Sequence, residues 1–228
     1  MLYHSLSLSF IALILSALSF AMSATLSILL HLWCFPIYYI YLCNDLILLV
    51  NSLLLGGVVV LFLKSEKEDI RNIMGPVLVS PWLTIILTAV MLAFTAIVSD
   101  VLKPQWMGLL YGSQRWTEIT RQTTSTYREL PLAFVAFDMV VSLIAVACGE
   151  LVWRGYLQTR FERLLNGKVW RAILLQSLLF SLAGGVSPFS FLIGVMAGYL
   201  YFRSRRLVPL ILGRWLEEIV SLVTIYFT

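Results

Sequence analysis

Long apolar runs alternate along the chain with short polar interruptions, and the spacing of the interruptions is that of a membrane. A helix in lipid must satisfy its own backbone hydrogen bonds and cover about 30 Å of hydrocarbon, which takes about 20 apolar residues. From Leu2 to Asn44 no residue carries a formal charge, although His4 and His31 punctuate the run. The pattern predicts a span at about 5–31, a bend around Pro36 and a second span at about 45–63. The stretch Lys64–Arg71 holds six charges and is expected in water or headgroups. Further spans are expected at about 77–98, 132–153, 169–186, 188–203 and 207–227. Residues 99–131 are polar and rich in Thr, and predict a long external or surface-lying loop. The expectation is an all-α polytopic membrane helix bundle of about seven spans, with six to eight possible if 32–44 is re-entrant. It divides into an N-terminal transmembrane region (1–131, ending in the polar loop) and a set of core helices (132–228).

Composition narrows the class. Of 228 residues, 60% are hydrophobic and 12% charged, against about 25% charged in a soluble domain. This excludes a soluble enzyme and a disordered tail. The three cysteines, Cys34, Cys43 and Cys148, sit in apolar contexts and read as small buried residues, not as a disulfide or metal framework. With the N-terminus in the cytoplasm, the inner loops would hold Lys64, Lys67, Arg71, Arg154, Arg160, Arg163, Lys168, Arg171, Arg203, Arg205 and Arg206. Lys103, Arg115, Arg121 and Arg128 would lie in the outer loop. The small-residue string Ala21–Ala24 resembles a signal-cleavage site, but Met1–Leu8 has no Lys or Arg, so an uncleaved first span is expected. The location is then an integral membrane, the cytoplasmic (inner) membrane if the source is bacterial.

Ionisable residues inside spans are the candidates for function. They are Asp138, Glu150 with Arg154, and Arg214 with Glu217 and Glu218. Glu150 and Arg154 share one helix face at a spacing of four, as do Arg214 and Glu218. A local pair at a span end is the simpler reading of the first two. The sharper one brings both helices together around one polar pocket, with Arg214 reaching Glu150, Glu218 or both.

The order of features is more specific than any one charge. Glu150-Leu-Val-Trp-Arg154-Gly-Tyr-Leu-Gln-Thr-Arg160 is followed by a span ending Phe180-Ser-Leu-Ala-Gly184, by Gly198-Tyr-Leu-Tyr-Phe-Arg203, and by Arg214-Trp-Leu-Glu-Glu218. Over about 132–224 this resembles the CPBP family, the CAAX prenyl endopeptidases and their bacterial relatives linked with bacteriocin processing and self-immunity. The resemblance implies three motifs on separate helices that cut peptide bonds inside the membrane. They are Glu-Glu-x-x-x-Arg with the first Glu as general base, Phe-x-x-x-His with a water-activating His, and His-x-x-x-Asn/Asp at the oxyanion. Such chemistry needs a base and donors aimed at developing negative charge.

Glu150, Arg154 and Phe180 match the family positions, but the base position is Gly149 and the second-motif His position is Gly184. The third motif reads Arg214 and Glu218 in place of His and Asn/Asp, and both histidines of the chain lie near its start. The expectation is a catalytically degenerate relative acting as a membrane scaffold, binding or immunity-type protein. Alternatives are an active CPBP-like intramembrane (glutamic-type) protease using non-standard residues, and a small transporter using Asp138 and the Glu pair. Membrane lipids and a membrane protein or peptide are the expected partners; no nucleic acid, cofactor or metal is. Gly194 and Gly198 form a GxxxG expected to pack internally, and Arg203–Arg206 read as a topology anchor on an anionic leaflet.

Overall fold

The computed structural model describes residues 7–15, 17–18, 21–22, 25, 37–75, 81–183 and 187–227. The first expected span is therefore described only in part, and Pro36, His4, His31, Cys34 and Gly184 lie outside the described residues. Residues 7–15 are helical and place Leu8 and Ala12 in the core.

From residue 37 on, the described chain folds into eight helices. They are α1 (Ile37–Ser65), α2 (Ile70–Met74), α3 (Pro81–Tyr111), α4 (Ser113–Arg128), α5 (Leu132–Leu164), α6 (Val169–Ala183), α7 (Pro188–Ser204) and α8 (Val208–Phe227). Local chemistry marks several boundaries. Pro188 opens α7 behind Ser187, whose hydroxyl accepts from the Ser190 amide, and Arg205 ends the helix in a left-handed conformation (φ 52°). Gly112, with φ 85°, breaks the chain between α3 and α4. Two helices carry wider π-helical turns, Ile97–Leu102 in α3 and Leu151–Gln158 in α5.

Among the described residues, three helices are long and apolar enough to cross a membrane: Tyr39–Ser65, Pro81–Tyr111 and Leu132–Leu164. Val169–Ala183 is apolar but shorter. Of the spans expected from the sequence, those of α7 and α8 are not among these three. The reason is visible in the chain: α7 has 17 residues, and the 20 residues of α8 include Arg214, Glu217 and Glu218. The polar segment 99–131 differs more. Instead of a loop it continues α3 as Lys103–Tyr111 and then forms α4, where Glu118 bonds Arg121 and Gln122 at helical spacing.

The six long helices alternate in direction between two ends of the bundle. At one end Tyr156 of α5 meets Glu66, Tyr201 of α7 meets Ile73, and Arg206 beside α8 meets Thr84 of α3. At the other, Tyr41 of α1 packs on Tyr127, and Tyr226 of α8 bonds the Leu130 carbonyl. We call these the Glu66 end and the Tyr41 end. Packing is close where small residues allow it. A Cβ on Gly213 of α8 would lie 2.7 Å from the Met91 Cβ of α3, and Gly194 and Gly198 of α7 face Ser177 and Ile173 of α6, the internal role expected of the GxxxG.

Outward faces are apolar. Leu46, Val50, Leu53 and Leu61 on α1, Trp82, Ile85 and Ile86 on α3, and Leu174 and Leu178 on α6 are all exposed. Apolar surface on this scale, on helices of these lengths, belongs in lipid, and the chain is an integral membrane protein.

Candidate active site

The centre of the site is Glu150, whose side chain is wholly buried on α5. Arg214 of α8 reaches across and donates from Nη1 to Glu150 Oε1 at 2.7 Å. Arg154, one turn on from Glu150 and also wholly buried, forms an ion pair with the same oxygen at 3.2 Å. The arginine of the last helix therefore finds Glu150, the choice between Glu150 and Glu218 that the sequence left open. Phe180 of α6 sits under both guanidiniums, with Arg154 Cζ 4.4 Å and Arg214 Cζ 5.4 Å from its ring centroid. Trp153 meets the same ring edge-on at 5.8 Å. Three positions singled out in separate segments, Glu150/Arg154, Phe180 and Arg214, are thus in contact.

The wider turns of α5 begin at Leu151, directly after Glu150. Such turns change which side chains share a face and recur at functional sites. Every residue from Val152 to Gln158 is buried. Trp215 fixes the facing helix by donating from its indole N–H to the Met139 carbonyl at 2.9 Å.

Beside this cluster lies a cavity of about 260 Å³ between α1, α5, α6 and α8, into which Gly149, Phe180, Arg214 and Glu218 open. A Cβ added to Gly149 would meet nothing within 4 Å. Gly149 therefore faces open space, and Ala183 lines the same cavity. Glu218 faces the same cavity with Ser142 beside it. Among the described residues, Glu150 Oε2 and the three guanidinium nitrogens of Arg154 are buried and make no hydrogen bond to another protein group, Arg154 Nη1 having only its ion pair to Glu150.

Asp138 stands apart from the cluster. It lines a small cleft with Asp45 of α1, Tyr41 and Tyr127. Tyr127, on α4, is pushed up to about 12 by burial and then by Asp138, Tyr41 and Asp45. Among the described residues no three His, Cys, Asp or Glu side chains gather as a metal site. Cys43 and Cys148 are free thiols, half-buried.

A second charge cluster departs from the expectation that Arg160 and Arg163 are loop charges and Lys64–Arg71 a solvated run. Instead, Arg160 is a wholly buried member of α5 that pairs with both Glu66 and Glu68, donating to Glu68 at 2.8 Å. Arg163 also bonds Glu68, at 2.8 Å, and Tyr156 donates to Glu66 at 2.9 Å. Glu162 accepts from Arg205 at 2.6 Å and from Gln158 at 3.1 Å. Burial raises the Glu68 carboxyl, but the bonds and charges of Arg163 and Arg160 outweigh it and hold the group below the usual carboxylate range. Nothing local in the sequence signals that Arg160 and Arg163 pair with Glu66 and Glu68, more than 90 residues away.

No curated protein and no solved structure matches the chain significantly. One family model does, over residues 131–220: the type II CAAX prenyl endopeptidase family described as Rce1-like. That stretch holds Glu150, Arg154, Phe180, Arg214 and Glu218. Residues 131–220 are accordingly an Rce1-like domain of the CAAX prenyl endopeptidase (CPBP) family.

Proposed function

We propose that this protein is a catalytically degenerate relative of the CAAX-type intramembrane proteases, retained as a membrane scaffold or binding protein of the immunity type. One observation carries the reading: the Arg214–Glu150 ion pair beside an empty base position at Gly149. In the family pattern the base comes from the position before Glu150 and a His from the position of Arg214. Here the first has no side chain, and the second is a cation committed to Glu150. A developing oxyanion needs donors aimed at it, and the Arg214 Nη1 is already given to Glu150.

The same reading takes the chain as seven spans with the N-terminus in the cytoplasm. The alternating direction of the six long helices and the basic residues at the Glu66 end support it. It takes residues 1–131 as a family-independent transmembrane region and 132–228 as the core. Family positions Gly149, Gly184, Arg214 and Glu218 are the substituted ones, and Glu150, Arg154 and Phe180 the retained ones.

The test is cleavage of membrane-anchored reporter peptides, prenylated and unprenylated, by the full chain in proteoliposomes. The unmodified protein is expected to match its Glu150→Ala variant at background. The combined Gly149→Glu, Gly184→His, Arg214→His and Glu218→Asn variant is the arm in which activity is expected to appear. Cleavage by the unmodified protein, lost on Glu150→Ala, would overturn the proposal. One observation favours that second reading: Glu218 opens on the cavity left by Gly149 and offers a carboxylate there.

A further inference from the structure

Away from the cavity, at the Glu66 end, α6 begins and α7 finishes side by side, leaving a surface groove of about 760 Å³. Its walls are Lys168, Trp170 and Arg171 from the start of α6, and Tyr199, Phe202 and Arg203 from the end of α7. Three cations line it and no carboxylate does. The ion pairs of the described residues engage Arg121, Arg154, Arg160, Arg163, Arg205 and Arg214, and none engages Lys168, Arg171 or Arg203. Glu162, a nearby acid on α5, is held by Arg205. Exposed cations placed together without counter-charge repel one another, so the groove favours an anion.

Its level in the bundle says which anion. Trp170 is 58% exposed and stacks on Tyr199, with centroids 5.5 Å apart and planes at 9°. Arg203 lies over the other partner of that stack, its Cζ 6.0 Å from the Tyr199 centroid. One and two turns further along the same face of α6 come Leu174 and Leu178, 47% and 50% exposed. The face thus passes from cations, through an aromatic pair, to an apolar stripe within three turns. That sequence of chemistries matches a phospholipid read from phosphate to glycerol to acyl chain. The N-terminal end of α6 adds the positive pole of its helix dipole.

We propose that this groove is a binding site for one anionic phospholipid, its phosphate held by Lys168, Arg171 and Arg203 and its chains lying along Leu174 and Leu178. The site is independent of whether the central cavity has kept any catalysis. A soluble phosphate shares the headgroup chemistry but gains nothing from the leucine stripe.

The test is native mass spectrometry of the full-length protein in micelles holding equal amounts of dioleoyl phosphatidylglycerol and dioleoyl phosphatidylcholine. The unmodified protein is expected to retain one phosphatidylglycerol in preference to phosphatidylcholine. In Lys168→Gln/Arg171→Gln/Arg203→Gln that retention should fall at least tenfold, taking about fivefold for each cation as the guide. Lys103→Gln/Arg115→Gln/Arg121→Gln, which removes the same charge at the Tyr41 end, should retain it, and so should the charge-conserving Arg171→Lys. Equal loss in both triple variants, or no preference in the unmodified protein, would overturn the site. Full displacement by millimolar inorganic phosphate would overturn the lipid as its occupant. The six positions are at the surface, and far-UV circular dichroism checks that each variant remains folded.

Discussion

Two arginines on one helix, six residues apart, have opposite surroundings. Arg154 and Arg160 are both wholly buried, and each lies over an aromatic ring, Phe180 at 4.4 Å and Tyr156 at 4.7 Å. Arg160 then pairs with Glu66 and Glu68 and donates from Nε and Nη2, leaving only Nη1 without a bond. Arg154 has one ion pair and, among the described residues, no hydrogen bond. A buried charge held only for stability is normally satisfied on every side, because an unmade bond there costs about 1–3 kcal/mol. The lower part of α5 comes nearer to that rule, with Arg160 Nη1 and Gln158 Oε1 as its exceptions, than the upper part does. Departures of this kind tend to fall at functional or strained sites.

The sharpest way to break this comparison is to remove each arginine in turn. Arg160→Met removes the buried cation shared by Glu66 and Glu68 and should cost about 3–5 kcal/mol, the usual loss when one member of a buried pair is deleted. Unfolding of the purified protein in mixed detergent would measure it. Next in size is Gly155→Ala, in the lower part of α5, where an added Cβ would come within 2.5 Å of Ile73 Cγ2. Overpacking there should cost about 1–3 kcal/mol in the same assay.

Arg154→Met should be milder, within about 1 kcal/mol in either direction, because Glu150 keeps Arg214 as a partner and an apolar isostere is well tolerated at such sites. A loss equal to that of Arg160→Met would erase the distinction between the two. Gly149→Ala fills open space in a helix and should stabilise by about 0.5–1 kcal/mol, opposite in sign to Gly155→Ala six residues on.

The smallest effect is in pH. Glu68 is held below its ordinary value when folded. Its contribution is therefore complete above the unfolded value of about 4.3 and is lost as pH falls through the lower folded one. Melting temperature should decline over that acid window, and the decline should be shallower in Glu68→Gln. A slope unchanged by the substitution would remove Glu68 from the network.

What the sequence made legible follows from the range of each interaction. Apolar runs predict helices because burial in lipid acts on each run separately. Arg214 could be matched to a carboxylate in advance because an arginine in the bilayer must find one; that it takes Glu150 and not Glu218 depends on how α5 and α8 pack. The Thr-rich stretch reads as a loop because it is polar overall; Trp116, Ile119 and Tyr127 do recur at helical spacing, but three apolar residues in sixteen are a faint signal. The charges of Lys64–Arg71 looked solvated because Arg160 and Arg163, which bind Glu66 and Glu68, lie far along the chain. The wider turns after Glu150 leave no mark in composition at all.

The seam around α2 bears on how this protein can be inherited and re-used. An added Cβ on Gly75, at φ 73°, would lie 1.8 Å from the Arg205 carbonyl oxygen, and the Leu207 amide donates to the Met74 carbonyl. Backbone from before residue 131 is thus sewn directly to backbone inside the family-matched stretch, with Glu66 and Glu68 buttoned to Arg160 alongside. The matched segment is not a cassette. Transplanted without the first two helices it would carry a bare buried cation and an unfilled notch at Gly155. The unmatched half of the chain is therefore tied to its neighbour, and substitutions on the two sides of the seam must travel together.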